Sequence, residues 1–281
     1  MTLSAIRLSV ILPAHQEQDH IGACLQALAD QTGADDVAKE VIVIANGCRD
    51  ATADRARALT GALTDAGWQL TVIELPTGGK TGALNRGDQA AAGDLRLYLD
   101  ADIVVGPGMI AAICAALDGP GARYAGARLV VPRPASRVSA AYARFWQRLP
   151  FVADGVTGAG LFGVNAEGRA RWDRFPQIIS DDGFVRLQFA PHERVRVDVP
   201  YHWPISEGLA TLIRVRRRQD AGTAELGRLY PHLVDNAAGD RPSGRFALRM
   251  GLSDPVGFAA YAAVSLAVRL RPPSQDWERS R

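Results

Sequence analysis

Hydrophobic and polar positions along the chain alternate, then recur at helical spacing, and this exchange repeats. Ile6 to Leu12 alternates branched apolar residues up to Pro13, where the strand is expected to stop. Ile21, Cys24, Leu25 and Leu28 then fall at the three-and-four spacing of a helix face. Val41 to Ile44 is an unbroken branched run, as in a strand buried on both faces, and Ala53, Ala56, Leu59 and Leu63 follow with helical period. Leu70 to Leu75 predicts a third strand and Gly79 to Ala92 a helix of small residues. Leu95, Leu97 and Leu99, alternating with Arg96 and Tyr98, predict a fourth strand. This β-α-β-α-β-α-β order predicts an α/β fold with a mostly parallel central sheet and helices on both faces. Right-handed crossovers would bring the C-terminal ends of its strands to one edge, where open α/β sheets bind ligands.

Past Gly106-Pro107 the pattern predicts a helix to about Leu117, a strand near Tyr124 to Val131 and a helix near Ala135 to Leu149. A glycine-rich stretch follows, then a helix from Ser180 to Phe189, a strand from Val195 to Val199 and an arginine-rich helix from Ser206 to Gln219. Pro255 to Val268 is apolar for about fourteen residues, short of the roughly twenty that a spanning helix needs. Either it docks on the domain, or it lies in a membrane interface flanked by Arg245, Arg249, Arg269 and Arg271.

With 281 residues, 47% of them apolar and 22% charged, the chain is long enough for one large core plus an appendage. The formal charge of +2 hides a bias, since Lys39 and Lys80 are the only lysines and the other basic residues are arginines. Cys24, Cys48 and Cys114 are odd in number and lack metal-ligand spacing, which makes them buried small hydrophobes rather than a disulfide or zinc framework. No charged and apolar leader opens the sequence, so the expected location is the cytoplasm, with peripheral contact to its membrane as an extension.

Asp100-Ala101-Asp102 ends the fourth strand. Residues two apart in extended backbone point the same way, so both carboxylates can converge on a hard cation such as magnesium or manganese. At a strand's C-terminal end that ion would neutralise a diphosphate leaving group. The same pair also fits a turn or a cap ahead of Pro107. Gly78-Gly79-Lys80 opens a helix, offering free amides, a positive dipole end and one compact cation, whereas a solvated lysine, as expected of Lys39, is the plainer reading. The spacing is not that of a Walker loop.

These motifs, taken in order, resemble the inverting glycosyltransferases of family 2, which have the GT-A fold. The likeness runs from about Leu8 to Gly222. It rests on Pro13-Ala14-His15-Gln16-Glu17, on Val41 to Cys48, on Gly79-Lys80-Thr81-Gly82-Ala83-Leu84-Asn85, on Asp100-Ala101-Asp102 and on Ser180-Asp181-Asp182. The resemblance implies a nucleotide-binding half over 1–105, an acceptor-binding half over 106–222 and a C-terminal helical extension over 223–281. It implies that Pro13, Ala14 and Glu17 line the base and ribose, with Asn46, Lys80, Asn85, Asp100 and Ala101 completing the nucleotide site. Asn46 stands where the family usually carries an acid, so uracil is a default rather than a reading. Asp50 and Thr52 also fit a cap on the following helix.

The resemblance makes Asp182 the general base, with Asp181 beside it, taking the proton of an acceptor hydroxyl that attacks opposite the diphosphate. Ser180 as an N-cap with two dipole-favoured acids is the competing account. Gly158, Ala159 and Gly160 fall where the family builds its acceptor pocket, or they form a turn before a strand. Phe145, Trp146 and Trp203 stack on sugars or fill the core. Arg218 alone matches the Q-x-x-R-W of processive members, since Val215 and Gln219 replace the glutamine and tryptophan. That argues for transfer of one sugar rather than polymerisation.

The expected partners are a nucleotide-diphosphate sugar, a UDP-sugar by default, and a glycan or lipid-linked acceptor of cell-envelope or exopolysaccharide synthesis; nucleic acid is not expected. The competing functions are a sugar-phosphate nucleotidyltransferase and a non-catalytic binding subunit. The first is disfavoured because Pro13 to Glu17 contains no glycine, and the second because Asp100, Asp102 and Asp182 are intact.

Overall fold

Strand β1 (Leu8–Ala14) is buried along its whole length. Its alternating branched residues face apolar layers on both sides of a sheet, and β2 (Lys39–Asn46) and β4 (Leu95–Leu99) flank it in parallel. The structure, a computed structural model, describes residues 7–237 and 244–270. Edge strand β3 (Trp68–Leu75) pairs in parallel with β2. Helices α1 (Ile21–Ala29), α2 (Thr52–Ala58), α3 (Thr60–Asp65) and α4 (Lys80–Ala90) make the crossovers.

Three expectations change here. Pro13 lies within β1, opposite Ile44, rather than ending it. Beyond Ile11 the strand has no partner on the β4 side, so a residue without an N–H removes no ladder bond there. The helix expected after β2 is two helices, broken at Leu59, where the Thr60 hydroxyl donates to the Arg57 carbonyl in competition with the helical backbone. Lys39 is not solvated: it is 5% exposed, and its ammonium donates to the Ala34 carbonyl at 2.9 Å beside the Trp68 ring.

The second half comprises β5 (Val104–Val105), α5 (Met109–Leu117), β6 (Tyr124–Val130), α6 (Arg137–Trp146), α7 (Pro150–Ala153), β7 (Leu161–Val164), α8 (Ala166–Arg169), α9 (Asp181–Arg186) and β8 (Arg194–His202). The sheet order is β3-β2-β1-β4-β7-β6-β8-β5. It is parallel from β3 to β4 and mixed beyond, because β7 runs antiparallel to both β4 and β6. Two apolar clusters cover the two faces, one holding α1 and α5 and the other α4 and α9.

Helix α10 (Leu209–Leu229) continues past Gln219, and residue 222 lies inside it, where Gly222 meets Ile179 and Ser180. Helices α11 (Gly244–Ser253) and α12 (Pro255–Arg269) follow. The apolar segment is thus a docked helix: Tyr261 stacks against Tyr142 at 5.6 Å and Phe258 meets Phe145 edge-on. Among the described residues no helix is long and apolar enough to cross a membrane. Arg245 is described in backbone alone, and Arg271 lies outside the described residues.

Candidate active site

The parallel strands deliver their C-terminal ends to one edge, and there the two acidic motifs meet. Lys80, the first residue of α4, places its ammonium 2.9 Å from Asp100 Oδ1 and 3.2 Å from Asp181 Oδ2. The surrounding pocket is lined by Pro13, Lys80, Leu84, Tyr98, Leu99, Asp100, Gly158, Gly160, Phe162, Asp181 and Asp182. Residues far apart in sequence, from the ends of β1 and β4, the start of α4, the glycine loop and the start of α9, therefore share one cleft.

Electrostatics tie the cluster together. Burial opposes the charge of Lys80, but Asp100, Asp181 and Asp182 together hold the ammonium well above lysine's ordinary range. Burial pushes the Asp181 carboxyl up to about 6, with Lys80 pulling it back and Asp182 and Asp100 adding to the rise. The Asp182 carboxylate is fixed locally, its Oδ1 accepting from the Ser180 hydroxyl at 3.0 Å and the Gly183 amide at 2.7 Å. Ser180 precedes α9, yet its hydroxyl makes no cap to the helix backbone and is spent on Asp182 instead.

β4 ends at Leu99, so Asp100-Ala101-Asp102 forms a turn, closed by the Ile103 amide donating to the Asp100 carbonyl at 3.2 Å. The alternation of an extended strand does not govern where its carboxylates point. Asp100 lines the pocket, Ala101 is buried, and Asp102 is half-buried outside the lining residues, close enough that its charge helps raise the buried Cys24 thiol after burial itself.

Other expected site residues serve as braces. Asn46 is 3% exposed and donates to the Ala14 carbonyl at 2.7 Å, while its oxygen accepts from the Gly79 amide at 3.0 Å. It pins the ends of β1 and β2 to the start of α4. Next to it, Gly47 has φ of +62°, and a Cβ there would sit 2.4 Å from the Gly78 nitrogen, so only glycine lets the two loops close. Asn85 grips Phe175 through both backbone groups, at 2.9 and 2.8 Å, tethering the segment that leads to Asp181. Glu17 is half-buried and its amide donates to the Thr52 hydroxyl; the Gln18 amide donates to Asp50. Asp50 and Thr52 thereby fasten the loop after β1 to the loop after β2.

Gly158 has φ of +73°, and a Cβ on it would meet the Tyr124 hydroxyl at 2.2 Å. The Gly160 carbonyl accepts from the Asp100 amide at 2.9 Å, and the Ala159 carbonyl from the Tyr201 hydroxyl at 2.7 Å. The glycine loop is both the turn before β7 and a wall of the pocket. Phe145 and Trp146 are core residues, and half-buried Trp203 stacks on Trp146 at 5.4 Å. Arg218 stands one turn before Gly222 on α10, on the helix face that meets Ser180. Tyr98, Leu84 and Phe162, the apolar floor, escaped sequence reading because their pattern is that of ordinary core positions.

Among the described residues, no three His, Cys, Asp or Glu side chains cluster as a ready-made metal cage. The pocket's charged lining is one lysine against three aspartates. This oxygen-rich, formally anionic set suits a hard divalent cation that arrives with further oxygen donors from a diphosphate and water.

A sequence profile described as "Glycosyl transferase family 2" matches residues 9–169, so Asp181 and Asp182 lie outside the matched span. No match was found among curated protein sequences. Among solved structures, the mannosyltransferase PcManGT from Pyrobaculum calidifontis, in complex with GDP-Man and Mn2+, is similar at TM-score 0.63 and 21% identity, over 96% of this chain and 79% of that one. Glucosyl-3-phosphoglycerate synthase from Mycobacterium tuberculosis, in complex with Mn2+ and UDP-glucose, gives 0.55 and 19% over 79% and 78%. S. aureus TarS 1–349 in complex with UDP-GlcNAc gives 0.53 and 15% over 93% and 81%. At such identities the likeness is one of fold.

Proposed function

The chain belongs to glycosyl transferase family 2, and from that premise we propose that it is an inverting, metal-dependent transferase passing one sugar from a nucleotide-diphosphate donor to an acceptor hydroxyl. The observation that carries this reading is the Lys80 ammonium lying between Asp100 and Asp181 in a pocket shared with Asp182. A diphosphate alone would be repelled by three aspartates facing one lysine, whereas a divalent cation bound with it cancels the pocket's excess negative charge and removes that repulsion. Asp100 and Asp102 would hold that ion, whose bound chemistry is to neutralise the departing diphosphate.

The residues divide the remaining work. Lys80 at the start of α4, with that helix's positive end, steadies the phosphates. Pro13 and Ala14 at the end of β1 and Glu17 in the loop after it, pinned by Asn46, Asp50 and Thr52, take the base and ribose, with uracil the expected base. Asn85 acts indirectly, through the segment it tethers. Asp182 accepts the acceptor hydroxyl's proton as that oxygen bonds to the anomeric carbon, and the opposite bond to the diphosphate breaks in the same displacement. Configuration inverts because entry and departure are on opposite faces. Ser180 and the Gly183 amide hold the Asp182 carboxylate in one orientation, the positional requirement of a general base. Gly158, Ala159 and Gly160 form the acceptor side, Arg218 contributes positive charge near Ser180, and the acceptor is a glycan or lipid-linked hydroxyl.

The test is turnover of UDP- and GDP-sugars with manganese. Asp182→Asn should lower kcat by about a hundredfold or more while donor binding persists. Full activity in EDTA and in Asp100→Ala would remove the metal role; full activity in Asp182→Asn would remove the base.

A further inference from the structure

Helix α12 is apolar on every side, although it lies at the surface. Its inner face, with Val264 fully buried and Tyr261 against α6, accounts for docking. Its outer face does not follow from that. Val256, Ala259, Ala263, Leu266 and Leu270 fall at alternating three- and four-residue spacing and are all exposed, so one side of four helical turns presents apolar atoms to solvent. The exposures are 65% for Val256, 57% for Leu266 and 73% for Leu270, with Leu252 at 78% just before the helix. Single exposed leucines are ordinary, but a contiguous row marks a surface that something covers.

The charges beside the row say what that is. Across residues 244–270 the charged side chains are Arg245, Arg249, Asp254 and Arg269. Arg249 and Arg269 are exposed at the two ends, and exposed Arg148 reaches Ser253 between the helices. The single acid is 8% exposed and already satisfied by the Arg144 guanidinium and the Gly257 amide. Among the described side chains of residues 244–270 the exposed charged ones are therefore arginines, and the neighbouring Asp220 of α10 is paired with Arg216, which lies over Tyr261. An apolar face with an arginine rim complements an anionic bilayer surface, where the side chains enter the acyl boundary and the guanidinium groups meet phosphate. A second copy of the chain would instead bring the same arginines against one another.

We propose that the outer face of α12, with Leu252 and the arginines at its ends, docks the protein in-plane on an anionic lipid surface. This goes beyond the transferase reading and does not depend on it.

Flotation of the full chain with vesicles of phosphatidylcholine and phosphatidylglycerol, against phosphatidylcholine alone, tests it. The wild type should float with the anionic vesicles and far less with the neutral ones. Leu266→Glu with Leu270→Glu should lower that partition by roughly tenfold or more, since each removes a membrane-facing apolar side chain. Arg249→Gln with Arg269→Gln should abolish the preference for anionic lipid. Thermal melting shows that the variants fold, and donor hydrolysis in solution should stay at the wild-type rate. Failure of the wild type to float, or equal flotation of the glutamate variant, overturns the proposal. So does a solution dimer that the glutamate variant dissociates, which would assign the face to a second copy.

Discussion

Lys80 joins the two acidic motifs, and its replacement separates their contributions. Lys80→Met removes the positive charge from a pocket with three aspartates, and kcat/KM should fall about a hundredfold, as for loss of one electrostatic contact to a developing charge. The stability loss should be about 1–2 kcal/mol, below that of a fully buried pair, because the lysine side chain is 38% exposed. It should also depend on pH. Asp181 titrates at about 6 in the folded protein and near 3.8 when unfolded, so its ion pair with Lys80 exists only above the folded value. Chemical denaturation of both proteins should show the deficit at neutral pH and its shrinkage as pH falls through 6.

At the same scale, sequence reading found which residues gather but not what each one touches. Asp100, Asp181 and Asp182 were legible through their places in an ordered set of motifs, since an acid at a strand end or a helix start serves a turn or a helix dipole equally well. Asn46 and Asn85 were legible as motif members only, since an amide serves a ligand or a backbone equally well, and here both amides serve backbone groups. Lys39 was misread because a long apolar stem can lie along Trp68 while the ammonium finds a carbonyl, a pairing with no local signature.

Among elements, β1 and the centre of β2 were legible because a strand covered on both faces is apolar, and β3 and β4 because their apolar residues are interspersed with polar ones at strand spacing. Two-residue β5 and four-residue β7 are too short to show a period, and β7 exists because β4 and β6 offer it ladder partners from elsewhere in the chain. The attachment of α12 gives a second prediction. Arg144 donates twice to Asp254, at 2.8 Å each, and these bonds hold that carboxyl at about 2 against the upward push of burial. A depressed carboxylate contributes stability above its unfolded value, near 3.8, and loses it as pH falls through 2. Arg144→Ala should therefore lower stability by about 1 kcal/mol at neutral pH, discounted for a half-exposed arginine. The difference from wild type should close in acid, as thermal or chemical melts will show.

For the whole molecule, ligand and fold should be linked. A nucleotide sugar with manganese at a hundred times its Kd should add about 2.7 kcal/mol and raise Tm by several degrees. Either component alone should do less, and Asp100→Ala should remove the synergy. Equal shifts with and without the metal would contradict joint binding. The assembly of this site is a matter of strand direction. Because β7 enters antiparallel to β4, its first residue lies beside the last residue of β4, Leu161 opposite Leu99, and the peptide of Gly160 is hydrogen-bonded to that of Asp100. The glycine wall of the pocket and the Asp100 carboxylate thus share a single rigid joint, and a displacement transmitted to either loop is a displacement of both.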